Sequence, residues 1–443
     1  MNYSIQSDQL QQILHSSLQS VDPINLIRQQ IRRIDDRLIL PDGYEIDLDM
    51  YERVFLCGAG KGAAPMTRAV EDLLDERLVK GNIIVKYGHL DSLRKTQIFE
   101  AGHPVPDQNT IQATDQILND LRNLSKSDCV FVLLTGGGSA LLESLPVEIT
   151  LEDLQVLNKI LLSCGATIHE INCVRKHISK VKGGQLARYI YPANCITLVL
   201  SDVIGDNLSV IASGPTSPDN STFDDALSIF HKYAIENDIP SSIFSYIKDG
   251  ASGHVSETPK FGDTIFDNVH NLVIGNNRLA LATAREKAES LGYHTLILTT
   301  TLQGEAKEIA QVLAAIIREI QDTNTPIKKP ACLLLGGEPT VHIKGKGKGG
   351  RNQELCLALT LAAIEKPYVF FSCGTDGTDG PTDAAGAIVS NETLAKSEKI
   401  GLKAIEYLRN NDSYNFFNPL GDLIKTGPTK TNVMDILCAL IPE

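Results

Sequence analysis

The sequence predicts an α/β protein of two domains, each built on a mostly parallel β-sheet flanked by helices. Short apolar segments typical of buried strands alternate with longer helical patterns through both halves of the 443-residue chain, a pattern that favours parallel sheets. A chain of this length also exceeds what a single hydrophobic core usually serves. Gly, Pro and Ser interrupt the pattern between residue 220 and about 265, so we expect domains at 1–240 and 241–443.

Composition limits the classes of partner. The formal net charge is −13, which argues against nucleic acid or an anionic membrane as the main partner. No apolar run approaches the roughly 20 residues that a membrane span needs. The nine cysteines form no CxxC pair, which is typical of reduced, buried thiols in a cytoplasmic protein. We expect a cytoplasmic protein that binds small molecules, and a homo-oligomer remains open.

Residues 1 to about 50 begin with a helical pattern, in which Leu10, Ile13 and Leu14 lie at helical spacing. We expect this segment to pack on the first domain. The first strand, Val54–Cys57, then leads into Gly58-Ala59-Gly60-Lys61-Gly62-Ala63. This loop matches the G-x-G-x-x-A dinucleotide fingerprint. The next strand, however, ends in Lys86-Tyr87 instead of the acid that binds a ribose, so Lys61 favours a bare phosphate or carboxylate.

A second glycine loop follows the strand Val130–Leu134. Its residues Thr135, Gly136, Gly137, Gly138 and Ser139 precede an apolar helix start, and such loops bring backbone N–H groups close to anions. His103, in the Gly102–Asp107 turn, is interpreted as a turn histidine. The basic stretch Asn172–Gly184 contains Arg175 and Lys182 and is either a solvated helix face or a ligand contact.

Two acids follow the next apolar strand, Cys195–Leu200. Asp202 comes directly after it, at the end of a strand where open α/β sheets bind ligands. Asp206 lies four residues further along the same loop and is a candidate metal ligand. We expect Asp202 to be the functional acid of this domain.

The second half centres on Leu333–Glu354, a strand followed by a Lys- and Gly-rich loop and an apolar helix. Strand, glycine loop and helix start in this order form the phosphate-binding unit of α/β proteins. The loop ends in Gly349-Gly350-Arg351-Asn352, which differs from the Lys-Ser/Thr of a Walker A loop. We expect its backbone N–H groups and its cations to bind an anion.

An acidic loop, Gly374–Asp383, follows the strand Tyr368–Cys373. Its Asp376, Asp379 and Asp383 are either turn residues or ligands for Mg²⁺ or a substrate hydroxyl. The spacing excludes an EF-hand. We expect a functional role for this loop, with Asp379 as a candidate metal ligand.

Taken together, these segments resemble the glycerate 2-kinase family. The matching motifs are GAGKGA, GHPVPD, LLTGGGSALL, NCVRKHISKVKGG, SDVIGDNLSVIASGPTSPD, ETPK, LGGEPTV, GKGGRNQE and CGTDGTDGPTDAAGA. The resemblance implies an N-terminal Rossmann-like domain, a C-terminal domain with a MOFRL segment at about 330–440, and an active site in the cleft between the domains. It also implies transfer of the γ-phosphoryl group of ATP to the 2-hydroxyl of D-glycerate, with Mg²⁺.

By motif position, the resemblance assigns the catalytic residues to Lys61, Asp202 and Arg351. Expected substrate or phosphate contacts lie in the same motifs: Gly60, Gly136, Gly137, Gly138, Ser139, Arg175, Lys182, Gly337, Glu338, Gly349, Gly350, Asn352 and Asp376. Asp206 and Asp379 are the expected metal ligands.

Two other functions stay open on the sequence. An NAD(P)H-dependent hydroxypyruvate reductase would explain the G-x-G-x-x-A match, although the ribose-binding acid is missing. A non-catalytic phosphosugar-binding regulator would explain the glycine loops, although the acid-rich loop at 374–383 speaks against it.

Overall fold

A computed structural model describes residues 3–443, with side chains from Ile5 onward. The chain divides into two compact units. The parallel-sheet unit is Leu26–Ile274, and the mixed-sheet unit joins the described part of Met1–Asn25 to Gly275–Glu443.

The helices and strands are numbered in chain order. The helices are α1 (Tyr3–Ser20), α2 (Pro23–Gln30), α3 (Ala63–Leu74), α4 (Gln108–Asp120), α5 (Gly138–Leu141), α6 (Leu151–Ser163), α7 (Ile168–His177), α8 (Gln185–Ile190), α9 (Phe223–Tyr233), α10 (Ser241–Ala251), α11 (Asn277–Ser290), α12 (Ala306–Thr323), α13 (Arg351–Leu361), α14 (Thr393–Lys399), α15 (Ala404–Arg409) and α16 (Ser413–Phe417). The strands are β1 (Arg32–Ile34), β2 (Arg37–Ile39), β3 (Glu45–Asp47), β4 (Arg53–Ala59), β5 (Leu78–Lys86), β6 (Thr96–Ala101), β7 (Asp128–Leu134), β8 (Asn194–Leu200), β9 (Val269–Gly275), β10 (His294–Leu302), β11 (Ala331–Gly337), β12 (Val369–Gly374), β13 (Gly386–Ser390), β14 (Leu423–Ile424) and β15 (Asp435–Ile441).

The parallel-sheet unit contains a six-stranded sheet of order β6-β5-β4-β7-β8-β9. From β6 to β8 every neighbouring pair is parallel. Ala59 pairs with Leu134, and Leu134 pairs with Val199. The loops that follow β4, β7 and β8 therefore begin side by side at one edge of the sheet. A small antiparallel sheet, β1-β2-β3, belongs to the same unit.

The mixed-sheet unit has the strand order β10-β11-β15-β12-β13-β14. The β10–β11 pair is parallel, whereas β15 runs antiparallel to both β11 and β12, and β13 antiparallel to β12. The α/β fold class is confirmed, but the expectation of a mostly parallel second sheet is wrong. The reason is β15, the last strand of the chain, which inserts between β11 and β12.

Apolar periodicity accounts for the cores. On α12, Ile309, Leu313, Ile317 and Ile320 recur at helical spacing and are buried, which gives that helix one apolar face. This face packs with the apolar side chains of β11, β15 and α13 in a single cluster. The parallel sheet has its own core, and α6, α7, α9 and α10 share a third cluster.

The compact units differ from the expected domains 1–240 and 241–443. Residues 241–274 belong to the first unit because β9 neighbours β8 in its sheet. Helix α1 belongs to the second unit, where Tyr293 donates a hydrogen bond to Gln9. The expectation that residues 1 to about 50 pack on the first domain is therefore wrong for α1.

All nine cysteines are free, and eight of them are buried. Within residues 3–443, no helix combines the length and the apolar character that crossing a membrane requires.

Candidate functional site

The two glycine loops of the parallel-sheet unit are joined by hydrogen bonds. The Lys61 N–H donates to the Gly136 carbonyl at 2.8 Å, and the Gly62 N–H donates to the Thr135 hydroxyl at 3.0 Å. Gly60 packs so closely on Thr135 that a Cβ at Gly60 would lie 2.1 Å from the threonine oxygen. Two amides of the GAGKGA loop are thus satisfied within the protein, and glycine at position 60 serves loop packing.

A cavity of about 280 Å³ opens beside these loops. Its walls bring together expected site residues from three motifs. They include Gly137, Gly138, Ser139, Arg175 and Asp202, together with His103, Ala140, Asn172, Val203 and Ala212. The structure therefore gathers most of the expected ligand contacts of this unit in one place.

His103 contacts this cavity through its ring. A Cβ at Gly137 would lie 3.0 Å from Nε2 of His103 and 3.6 Å from Cγ of Lys61, so glycine at 137 leaves room for both side chains. Burial and the neighbouring Lys61 charge lower the pKa of His103 to about 4. The imidazole ring is therefore uncharged at neutral pH. His103 lies in a turn, as interpreted from the sequence, but it also lines the cavity, which the sequence did not indicate.

Arg175 is the cation of this cavity. It lies on α7, and its Nη2 donates to the Ser139 carbonyl at 2.7 Å. Its Nε is buried and has no hydrogen-bond partner among the described residues. Burial lowers the pKa of Arg175, and the more distant Glu143 opposes that shift.

A chain of hydrogen bonds runs beneath Arg175. The Ser139 and Ser213 hydroxyls are 3.0 Å apart, and Ser213 donates to the Asn172 side-chain oxygen at 3.1 Å. Ala212 and Ser213 hold left-handed backbone angles, with φ of 49° and 61°, which non-glycine residues rarely adopt. The strained turn that contains Ile211–Ser213 thus presents Ser213 to Asn172.

Lys182 is not in this cavity. Its side chain is fully buried and its Nζ lies 2.6 Å from Glu143, whose side chain is also fully buried. The same Nζ donates to the Leu142 carbonyl at 2.8 Å, and burial lowers the pKa of Lys182 to about 8. The expected ligand contact of Lys182 is wrong, because its ammonium group is buried and bound to Glu143 and Leu142 within the fold.

Lys176 and His177 in the basic stretch are also paired with carboxylates. Lys176 lies 3.2 Å from the buried Asp219, and His177 lies 3.2 Å from Glu257. The stretch is neither a solvated face nor a general ligand surface. Asn172 and Arg175 are the residues of this stretch that line the cavity, and Arg175 is the charged one.

Asp202 and Asp206 follow β8 in the same loop. Asp202 is partly buried and lines the cavity, which agrees with its expected position. Asp206 is partly buried and adopts a φ of 54°. Its role as a metal ligand stays a prediction.

In the mixed-sheet unit, Arg351 opens α13 and is held by two carboxylates. Its Nε and Nη2 donate to the two carboxylate oxygens of Asp435 at 2.6 Å and 3.0 Å, and Nη1 donates to Glu338 at 2.9 Å. Asp435 is fully buried, because it pairs with Gly337 on β11 and with Gly374 on β12. Burial tends to lower the pKa of Arg351, but the Asp435 contact raises it overall.

The backbone amides of the lysine- and glycine-rich loop donate hydrogen bonds to residues 410–412 of the same unit. The N–H groups of Lys344 and Gly345 donate to the Asn411 side chain, and that of Gly347 donates to the Asn410 carbonyl. Those of Lys346 and Lys348 donate to the side chains of Asn410 and Asp412. The expectation that these amides bind an anion is therefore wrong for residues 344–348, while Gly349 and Gly350 remain candidates.

Asp379 occupies the start of α13. Its carboxylate accepts hydrogen bonds from the Asn352 and Gln353 N–H groups at 3.1 Å and 2.9 Å, and from both side-chain amides. A carboxylate suits a helix N-terminus, so Asp379 fills the position that an anion would take. The expected roles of Asp379 as a metal ligand and of Asn352 as a phosphate contact are not supported, because these groups bind each other.

A second cavity, of about 340 Å³, lies within the mixed-sheet unit. Its lining includes Gly349, Gly350, Arg351, Glu354 and Asp376, with Val341, Ile343 and Pro381 as apolar members. Asp376 is partly buried and accepts hydrogen bonds from the N–H and hydroxyl of Thr378. Burial raises the pKa of Glu354.

Gly337 has a structural reason for being glycine. Its φ is 152°, and a Cβ there would lie 2.2 Å from the Leu302 carbonyl oxygen. Close packing between β10 and β11 therefore explains Gly337 without a ligand, and its neighbour Glu338 contacts Arg351.

Sequence reasoning missed Asn172, Ser213 and Asp435 as site residues. Asp435 had a usable signal, since it is an acid that opens the apolar run Ile436–Ile441. Asn172 lies three residues before Arg175 and therefore on the same face of α7. Ser213 has no local signal, because its importance depends on the fold.

Comparisons with known proteins give the following similarities. A family model described as a domain of unknown function, DUF4147, matches residues 9–248, and the MOFRL family model matches residues 331–435. A D-glycerate 2-kinase of Thermotoga maritima is 44% identical over 423 residues, which cover 94% of this chain and 97% of that protein. An Agrobacterium vitis protein named "Putative hydroxypyruvate reductase" is 39% identical over 423 residues, covering 94% of each.

Among solved structures, the crystal structure of glycerate kinase from Thermotoga maritima is similar over the full chain. The TM-score is 0.88 at 41% sequence identity, and the match covers 99% of this chain and 100% of that chain.

Proposed function

The chain belongs to the glycerate 2-kinase family, and on that premise we propose that it transfers the γ-phosphoryl group of ATP to the 2-hydroxyl of D-glycerate. The products are 2-phospho-D-glycerate and ADP. The observation that carries this proposal is the 44% identity to a D-glycerate 2-kinase over 94% of this chain. The glycine loop after β7 and the acid after β8, which belong to two of the motifs that carry the resemblance, line one cavity.

Asp202 acts as the general base in this proposal. The 2-hydroxyl oxygen attacks the γ-phosphorus, the bond from that phosphorus to the β,γ-bridging oxygen breaks, and the hydroxyl proton passes to the Asp202 carboxylate. Phosphoryl transfer depends mainly on positioning and on neutralising charge. A positioned general base typically contributes about 10²–10⁴ in rate. Lys61, beside the same cavity, neutralises part of the substrate charge.

Arg351 stabilises charge on the transferring phosphoryl group. A guanidinium has five N–H donors, and three of those of Arg351 donate to Asp435 and Glu338. The remaining two have no acceptor among the described residues and are available to phosphoryl oxygens. Asp435 and Glu338 fix the plane of the guanidinium, so they act as positioning residues.

We expect Mg²⁺ to bind together with ATP. The residues of the mixed-sheet cavity would hold the ion only if the phosphates of the nucleotide supplied further ligands. Residues 5–443 contain no group of three His, Cys, Asp or Glu side chains that forms a metal site alone. Mg²⁺ commonly binds through one or two carboxylates, with phosphates and water completing the shell. Asp376 would hold it there, and Asp206 remains a second candidate. When bound, Mg²⁺ neutralises charge on the phosphates.

The reductase alternative has less support from the geometry. A dinucleotide fingerprint binds pyrophosphate with its loop and the adjoining helix N-terminus. In this chain the Lys61 and Gly62 amides donate to Gly136 and Thr135. The strand β5 also ends in Lys86 and lacks a ribose-binding acid.

The direct test supplies purified protein with ATP, Mg²⁺ and D-glycerate and identifies the product by ³¹P NMR. We expect 2-phosphoglycerate, and we expect excess EDTA to stop turnover until Mg²⁺ is restored. A parallel reaction with NADH and hydroxypyruvate should leave the NADH absorbance unchanged. NADH oxidation without glycerate phosphorylation would overturn the proposal in favour of the reductase, and 3-phosphoglycerate as product would overturn the assignment of the 2-hydroxyl.

A further inference from the structure

We propose that the cavity of the parallel-sheet unit binds the carboxylate of the acceptor acid, and that Arg175 is the group that pairs with it. The identity of the acid as glycerate rests on the proposed function. The assignment of a small carboxylate to this cavity rests on the charges and hydrogen bonds around Arg175.

The first argument is the charge of Arg175. Three nearby cations on and after α7 have a carboxylate partner: Lys176 has Asp219, His177 has Glu257 and Lys182 has Glu143. Within residues 5–443, no carboxylate lies within 4.0 Å of Arg175, and its buried Nε has no hydrogen-bond partner. Arg175 is partly buried, and withdrawing a cation from water without a carboxylate partner costs free energy. An anion from solution would remove that cost.

The second argument is the direction of the hydrogen bonds beneath Arg175. Ser213 donates its proton to Asn172, so the proton between Ser139 and Ser213 comes from Ser139. This arrangement leaves the Ser139 oxygen as an acceptor and the Asn172 amide NH₂ as a donor. An acid that carries a hydroxyl needs both: donors for its carboxylate and an acceptor for its alcohol.

The third argument is the size and charge of the cavity. At about 280 Å³ it lies just below the usual range of about 300–1,000 Å³ for ligand pockets, which favours a small acid over a nucleotide. His103 contributes no charge, since it is neutral at neutral pH. Arg175 is then the cation that lines the cavity, opposite in sign to Asp202. The carboxylate binds at Arg175, and Asp202 remains for the hydroxyl.

The experiment compares ligands that differ in one charge, using calorimetry on the full chain with Mg²⁺ and a non-hydrolysable ATP analogue present. The ligands are D-glycerate, its uncharged amide D-glyceramide, and inorganic phosphate. The variants are Arg175→Gln and the matched control Arg122→Gln, which removes an exposed arginine from the same unit. Arg175→Gln removes a charge-assisted hydrogen bond, so we expect it to weaken glycerate binding about ten- to a hundredfold.

We expect Arg122→Gln to bind glycerate as the unmodified protein does, and glyceramide to bind equally to all three proteins. If Arg175→Gln does not fold, Arg175→Lys and Asn172→Asp replace it. Asn172→Asp places a negative charge beside Arg175, so it should weaken glycerate binding more than glyceramide binding.

Unchanged glycerate binding in Arg175→Gln would overturn the inference. So would a loss confined to inorganic phosphate or to the ATP analogue titrated alone, because the anion at Arg175 would then be a phosphate. Arg175-dependent glycerate binding in a protein that does not phosphorylate glycerate would support this inference and refute the proposed function, which separates the two.

Discussion

Arg351 in the mixed-sheet unit and Arg175 in the parallel-sheet unit differ in how each is held. Two carboxylates fix Arg351, and one of them, Asp435, is fully buried. A single backbone carbonyl holds Arg175, which has no carboxylate within ion-pair distance in the described chain. Carboxylate partners hold a guanidinium in one orientation. A guanidinium without a carboxylate partner binds an anion from solution more tightly, because that anion is its first ion-pair partner. We therefore expect Arg351 to affect turnover and Arg175 to affect binding.

The largest expected effect tests Arg351. Arg351→Ala should lower kcat by about 10³–10⁵, by analogy with arginines that stabilise phosphoryl transfer. Arg409→Ala, which removes an exposed arginine from the same unit, should leave kcat unchanged. Steady-state kinetics with ATP and D-glycerate measures both.

Removing Arg351 also leaves Asp435 buried without its partner, which can cost about 3–5 kcal/mol of stability. Thermal unfolding must therefore accompany the kinetics. If the alanine variant is unfolded at the assay temperature, Arg351→Lys keeps the charge but loses the bidentate contact. Near-normal turnover in a folded Arg351 variant would contradict the role assigned to this residue.

The next prediction concerns the stability that the buried ion pair of Lys182 and Glu143 contributes. Lys182→Met should lower the free energy of unfolding by about 3–5 kcal/mol, because Glu143 is left buried and unpaired. The double variant Lys182→Met/Glu143→Leu should recover most of that loss. Urea unfolding measures it, with the exposed Lys159→Met as control. Unchanged stability combined with a raised KM for glycerate would restore the ligand-binding role predicted from the sequence.

A smaller effect comes from Asp435, which positions Arg351. Asp435→Asn should lower kcat about ten- to a hundredfold, since it removes a charged hydrogen-bond acceptor. Burial raises the pKa of Asp435 to about 6, so kcat of the unmodified protein should fall as pH drops through that value. The Asn variant should lack this inflection. The same inflection in Asp435→Asn would assign it to another group.

The contribution of Asp435 to stability changes with pH in the direction opposite to its effect on kcat. Its pKa in the folded protein exceeds the ordinary value of about 3.9. The group therefore contributes stability below about pH 4 that is lost as pH rises through about 6. Activity and this part of the stability should move in opposite directions over that interval.

Local pattern predicted much of the fold. The strands β4, β7, β8, β11 and β12 and their glycine loops follow from apolar runs that end in turn residues. Strand direction in the second sheet did not follow, because it depends on β15, which pairs between β11 and β12 from the far end of the chain. The compact units differ from the predicted domains for a similar reason, since α1 and β9 join partners that are distant in sequence.

The site shows the same limit. The predictions for Asp202 and Arg175 rest on two motifs, and the fold brings those motifs to one cavity. Lys182 was misassigned because its partner, Glu143, lies in another segment of the chain. The amides of residues 344–348 were misassigned because the segment that accepts their hydrogen bonds, residues 410–412, is also distant in sequence. Sequence identifies candidate groups, but only the fold shows which are already satisfied.

One kinetic comparison separates the roles of the two arginines: kcat and the KM for D-glycerate of Arg351→Ala and Arg175→Gln, measured in the same assay with saturating ATP and Mg²⁺. We predict that Arg351→Ala loses mainly kcat, and that Arg175→Gln mainly raises the glycerate KM, by about ten- to a hundredfold. If Arg175→Gln lost kcat at an unchanged glycerate KM, while Arg351→Ala only raised that KM, the distinction between the paired and the unpaired arginine would be wrong.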